Sequence, residues 1–182
     1  ETDDNLRARF FNQVRSTSTS GNIYDYKKWA LEVPGCGGAK VFALWNGPGT
    51  VKVLVVDENM EIDPDLIAAV YDHIEAVRPI GASVTVESPQ EKVININADV
   101  YLDGSDTLEN VQAKFAALIA EYLKGLTFEI YTVTYAKIGS LLLSIPGVAD
   151  YSNLTVNGGN ENVTIGDDEM PILGTVTLTE VT

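Results

Sequence analysis

At 182 residues, 45% of them apolar, the chain is long enough to bury a substantial core as one large domain or two small ones. Its 26 acidic against 12 basic residues leave a net charge of −14, which argues against nucleic acid as the main partner and against an anionic membrane surface. Acidity of this kind chiefly keeps a protein soluble. The single cysteine, Cys36, excludes an internal disulfide, and no apolar run approaches the length of a membrane span.

Residues 1–15 read as a helix. Leu6, Phe10 and Val14 recur every four residues, Asp3 and Asp4 suit a first turn, and Arg7, Arg9 and Arg15 rim the apolar side. Ser16 to Gly21 is a small polar linker that makes residues 1–20 a hinged arm. Asn22 can cap a second helix over 22–32, which Pro34 and Gly35 end. A strand over Lys40–Trp45, the turn Asn46-Gly47-Pro48-Gly49 and a second strand through Val51, Val53 and Val55 form a hairpin. The second strand is apolar on both faces and is expected to be buried on both. After the acidic loop Asp57 to Asp63, Asp63 and Pro64 start a helix with Leu66, Ile67, Val70, Ile74 and Val77 on its apolar stripe. Arg78-Pro79-Ile80-Gly81 stops it, and a short strand at 83–87 completes a strand–helix–strand element.

The strand at 92–102 sets Ile94, Ile96, Ala98 and Val100 on one face and Asn95, Asn97 and Asp99 on a wet one. Asp106, with Glu109 three residues on, resembles a capping box for an amphipathic helix carrying Leu108, Val111, Phe115, Leu118, Ile119 and Tyr122. Residues 127–134 are rich in β-branched and aromatic types. Near the C-terminus an earlier stretch returns. Pro146-Gly147 matches Pro34-Gly35, Leu143 matches Leu31 and Val163 matches Val51, all at one offset. The repeat predicts a helix over 132–144 and a hairpin from 150–157 and 162–166, turned by Asn157 to Asn160. A strand over 172–181 closes the chain. The fold class is α+β: two similar helix–hairpin units around a central βαβ-containing portion. The expected segments are an arm at 1–20, a first unit at 21–105 and a repeat-related unit at 106–182.

No residue set points to catalysis. His73 and Cys36 are the only residues of their types, too few for a transition-metal cluster, and His73 sits on a helix as a packing or surface residue. The carboxylates of Asp57, Glu61 and Asp63 lack the glycine and bidentate spacing of a calcium loop. Gly35-Cys36-Gly37-Gly38 and Gly47-Pro48-Gly49 lack the Gly-Lys-Ser/Thr of a phosphate loop. The triplets at Asn153 and Asn162 match the glycosylation pattern, which is common by chance. We therefore expect no catalytic residue, metal or cofactor. Trp29 and Trp45 are expected in the core, and Asn46 to Gly49 are read as turn chemistry.

From Tyr26 to Asp57 the wording is specific. A Tyr-x-x-Trp-Ala helix containing Trp29, then Val-Pro-Gly with Pro34 and Gly35, then Leu-Trp-Asn-Gly-Pro-Gly-Thr-Val through Trp45, Asn46, Gly47, Pro48 and Gly49, resembles the baseplate J-like family of phage tail proteins. The opening Glu-Thr-Asp-Asp-Asn-Leu-Arg-Ala-Arg and the run Arg78-Pro79-Ile80-Gly81-Ala82 resemble it too, so the likeness covers residues 1–102. Cys36 departs from the apolar residue expected there. The resemblance implies a non-enzymatic structural subunit of a contractile-tail baseplate, of phage or prophage. It would be made in the host cytoplasm and would contact other baseplate proteins and copies of itself, with neither nucleic acid nor membrane as partner. It also implies a further N-terminal region, which fits a chain starting without Met. The alternative is a carbohydrate- or receptor-binding module of a tail or surface protein, which requires a concave cluster of exposed aromatic and polar side chains.

Overall fold

The structure is a computed structural model that describes residues 21–181 together with Arg7. The helix expected over 1–15 lies outside the described residues. The protein is mixed α+β, with four helices and several small sheets among those residues. It divides into two units, Glu1–Pro89 and Gln90–Thr182.

In the first unit, α1 (Ile23–Glu32) begins at a reciprocal cap. The Asn22 side chain accepts from the backbone N–H of Tyr24 (2.9 Å) and Asp25 (3.1 Å), while the Asp25 carboxylate accepts from those of Gly21 (2.8 Å) and Asn22 (3.1 Å). These bonds help to satisfy the buried Asp25 carboxylate. The strands β1 (Cys36–Ala43) and β2 (Thr50–Asp57) pair antiparallel as the expected hairpin. The helix α2 (Pro64–Val77) starts at Asp63, whose side chain accepts from the Asp65 N–H at 2.9 Å. The strand β3 (Ser83–Glu87) then pairs parallel to β2, giving the order β1-β2-β3. Val53 and Val55 of β2 pack against Tyr26, Ala30, Val70 and Ile74 from the two helices. Leu54 and Val56, on the other face, are equally buried, so β2 is covered on both sides as its composition predicts.

The second unit holds β4 (Gln90–Leu102), α3 (Leu108–Lys124), β5 (Thr132–Val133), α4 (Tyr135–Leu143), β6 (Val148–Val156), β7 (Val163–Thr164) and β8 (Glu169–Glu180). Its main sheet has the order β6-β4-β8, with β4 antiparallel to β6 and parallel to β8. Ile94, Ile96, Ala98 and Val100 face Val111, Phe115, Ile119 and Leu123 of α3, while Asn95 and Asn97 are exposed as the alternation requires. The strand β4, grouped with the first unit on sequence, hydrogen-bonds only within the second unit's sheet.

The repeat is visible in the backbone. Displaced by 112 positions (Pro34 to Pro146), α1 and α4 start at equivalent residues, Ile23 and Tyr135, and β1 and β6 start at Cys36 and Val148. The corner bonds also correspond. Val33 N–H donates to Ala30 O and Cys36 N–H to Val33 O; Ile145 N–H donates to Leu142 O and Val148 N–H to Ile145 O, each at 3.1–3.2 Å. Gly35 and Gly147 both have left-handed backbone, φ 90 and 99, which glycine alone adopts without cost.

Two expectations are corrected. The segment 162–166 does not form a hairpin with 150–157: Thr164 and Val163 pair with Thr132 and Val133 instead. The Asn162 side chain explains the diversion, because it accepts the Tyr135 N–H at 2.9 Å and so ties this segment to the start of α4. That helix gets no cap bond from its own N-cap, Thr134. The cap of α3 is Thr107 rather than Asp106, with Thr107 accepting from Asn110 N–H. Asp106 instead accepts from the Thr107 N–H, the Asn110 side-chain amide and Lys114.

Candidate interaction surface

The side chains with chemical potential serve the fold. His73 Nε2 lies 3.1 Å from a Glu32 carboxylate oxygen and links α2 to α1. The Cys36 thiol donates to Gly38 O at 3.6 Å, and burial pushes its pKa up to about 11, so it carries almost no thiolate at neutral pH. In the acidic loop, Asp57 Oδ1 accepts the N–H groups of Asn59 (2.8 Å) and Glu61 (2.7 Å), spending that oxygen on the loop itself. Among the described residues no group of three or more His, Cys, Asp or Glu is arranged to hold a metal ion. No helix there is long and apolar enough to cross a membrane.

The family-like residues of the first unit fall at opposite ends of its sheet. Pro34 and Gly35 make the corner from α1 into β1, and the Glu58 N–H donates to Gly35 O beside the acidic loop. Trp29 packs edge-on to Tyr26, ring centroids 5.0 Å apart, against the core. Trp45, Asn46, Gly47, Pro48, Gly49, Arg78, Pro79 and Gly81 gather at the other end, in two adjacent turns. Thr50 Oγ1 donates to Gly47 O (2.7 Å) and accepts the Asn46 N–H (3.0 Å), closing the first turn. The Ser83 N–H donates to Gly49 O at 2.7 Å, tying the second turn to it. Arg78 holds the second turn in shape. Its Nε and one terminal nitrogen donate to the two Glu75 carboxylate oxygens (2.6 and 2.7 Å), and its other terminal nitrogen donates to the carbonyls of Pro79 and Ala82. This pairing keeps the Glu75 carboxyl below its usual range. A Cβ on Gly21 would overlap Pro79, so the start of α1 reaches the same end.

That end is apolar. Ile23, Tyr24, Leu44, Trp45, Val77 and Ile80 are all exposed there, leaving only Leu31 and Tyr71 of the unit's exposed large apolar side chains elsewhere among the described residues. Trp45, expected in the core, is 42% exposed, because Leu44 turns the chain out of β1 with φ 59. Lys52 lies over both the Trp45 and Phe42 rings, 5.1 and 5.2 Å from their centroids. Sequence reasoning singled out the glycines and prolines of these turns but missed the side chains they present. The available signal was Ile80 between Pro79 and Gly81, a large apolar residue in a turn where no helical or strand period buries it. Exposed tyrosines elsewhere stand on separate segments, Tyr71 on α2, Tyr101 on β4 and Tyr131 just before β5.

Residues 18–88 match the family model described as the Baseplate J-like central domain, and residues 94–179 match that of the Baseplate J-like protein C-terminal domain. The chain is 40% identical, over its full length, to the phage-like element PBSX protein XkdT of Bacillus subtilis, 55% of which is covered. It is 36% identical to the baseplate protein gp47 of Escherichia phage Mu over 50% of this chain and 29% of that protein. The chain thus spans about half the length of the Bacillus relative. In fold it is similar to a chain of the anti-feeding prophage baseplate, with a TM-score of 0.67 at 11% identity, covering 95% of this chain and 42% of that one.

Proposed function

The chain belongs to the Baseplate J-like family, and from that premise we propose that it is a structural component of a contractile-tail baseplate, acting through protein–protein contacts rather than catalysis. The observation that carries this reading is that the two family matches, over residues 18–88 and 94–179, fall one in each unit and together take up most of the chain. Its partners are other baseplate proteins and copies of itself, and its place is the virion tail after synthesis in the host cytoplasm. The exposed apolar residues at one end of the first unit support a contact role, since large exposed apolar patches on soluble proteins mark interaction sites.

The repeated helix–Pro-Gly–strand element supports an origin of the two units by duplication of that element, each copy placing an antiparallel edge strand beside a central strand. The test of the functional reading is gold labelling of an epitope-tagged copy in tail particles purified from cells that produce it. Label at the end of the tail tube, retained through particle purification, is the expected result. Particles without label, with the tagged protein wholly in the unassembled fraction, would overturn it.

A further inference from the structure

The first unit has two unlike ends. At one, the exposed apolar residues surround Leu44, Trp45 and Ile80, with Lys52 lying along the Trp45 ring. At the other, β2 runs out into Asp57-Glu58-Asn59-Met60-Glu61-Ile62-Asp63, where Glu58, Glu61 and Asp63 are exposed and Met60 and Ile62 are half-exposed between them. The eight residues of β2 separate these ends by about 25 Å. We infer that the apolar end docks the acidic loop of a second copy of this chain, so that copies associate head to tail. The inference rests on the baseplate reading only for its setting; the surfaces themselves come from the fold.

Three observations support this pairing. Leu44 has a left-handed backbone, where glycine or asparagine is the usual residue, held by its N–H to Thr50 O and by the Gly47 N–H to its own carbonyl, yet its side chain is 65% exposed, so the leucine side chain itself gains little within the unit. Met60, at the tip of the acidic loop, is the other non-glycine residue of the first unit with left-handed backbone among those described, φ 58, and presents a flexible thioether suited to an aromatic ring such as Trp45. Charge then selects the orientation. Two copies meeting through the same apolar end would bring Lys52 against Lys52, whereas the acidic loop brings carboxylates to it. A contact between different surfaces is heterologous, and it extends into a ring or a filament rather than stopping at a symmetric pair.

The test uses sedimentation of the 182-residue chain and two variants. Ile80→Asp spoils the apolar end without touching the core, since Ile80 is fully exposed. The paired change Glu58→Lys with Met60→Asn spoils the loop while keeping a residue that tolerates the left-handed backbone at 60. Circular dichroism melts establish that both variants fold. The wild type should self-associate with increasing concentration, more weakly at high salt, and each variant alone should do so at least tenfold more weakly. Mixed, the two variants should form a one-to-one dimer and grow no further, because each supplies the surface the other lacks. A wild type that stays monomeric at its highest soluble concentration, a variant that associates like the wild type, or a mixture that stays monomeric would each overturn the inference. The tail labelling is read separately, so the contact and the baseplate assignment can fail independently.

Discussion

Gly37 offers the sharpest test of how β1 leaves its corner. It stands in the bulge where the register slips between Cys36 and Gly38. A Cβ there would lie 2.3 Å from Asp57 O, 2.5 Å from Glu58 Cα and 2.8 Å from Asp57 C. All three are backbone atoms and cannot rotate away, so Gly37→Ala must push the two strands apart by about 1 Å at that point. Overpacking of this kind costs about 1–3 kcal/mol, and loss of the neighbouring Glu58 N–H to Gly35 O bond adds about 1 kcal/mol. We therefore expect about 2–4 kcal/mol. Gly35→Ala is the control. Its Cβ would meet nothing within 4 Å, so it bears only the left-handed backbone cost of roughly 1–2 kcal/mol. Both tryptophans, Trp29 and Trp45, belong to the first unit, so urea unfolding followed by tryptophan fluorescence reads the affected region directly. If Gly35→Ala costs as much as Gly37→Ala, or Gly37→Ala shifts the midpoint by less than about 0.5 kcal/mol, the close approach of β1 to the Asp57–Glu58 backbone is wrong.

Leu44→Gly should stabilise the folded chain by about 0.5–1 kcal/mol, the relief of left-handed leucine less the extra freedom of unfolded glycine, while weakening self-association; equilibrium unfolding and sedimentation measure the two effects. Phe115→Ala removes the ring by which α3 meets β4 and should cost about 3–5 kcal/mol by circular dichroism; a loss below about 1.5 kcal/mol would contradict its complete burial. Asp106 is held down to a pKa of about 2, chiefly by its hydrogen bonds to Lys114 and Asn110, against 3.8 for the ordinary carboxyl. Because its folded pKa is the lower, its contribution to stability is full above about pH 4 and is lost as pH falls toward 2. In Lys114→Met the Asp106 carboxyl, followed by NMR, should titrate nearer 3.8; an unchanged titration would rule out the pairing.

Much of the fold was legible where one signal dominated. The alternation of Ile94, Ile96, Ala98 and Val100 with Asn95, Asn97 and Asp99 made β4 readable, and the stripe of Val111, Phe115 and Ile119 made α3 readable. Caps at Asn22 and Asp63 were legible because their side chains bond to backbone only two or three residues away. Pairing of strands distant in sequence was not. The parallel run of β4 beside β8 spans Gln90↔Glu169 to Val100↔Glu180, and no local pattern announces it. The interaction surface was half legible: turn chemistry at Asn46 to Gly49 and Arg78 to Gly81 was plain, but exposure depends on what packs over a residue, and Trp45 and Trp29 look alike in sequence.

The repeat shows where such reasoning breaks. Through the helix, the Pro-Gly corner and the first strand, the two copies keep the same spacing and the same corner hydrogen bonds. Both first strands then become the antiparallel edge of a three-stranded sheet whose central strand also has a parallel neighbour. The central strand, however, comes from opposite directions along the chain. In the first unit it is β2, which follows β1; in the second it is β4, which precedes β6 by more than forty residues. With that place already filled by β4, the segment equivalent to β2 has no central position to occupy. It shortens to Val163–Thr164, pairs with β5 and is tied to α4 through Asn162. A match in sequence at Val51 and Val163 therefore marks two residues with different structural fates. What fixes a strand's neighbour is which position in the sheet is still open when the chain reaches it, and a local repeat carries no record of that.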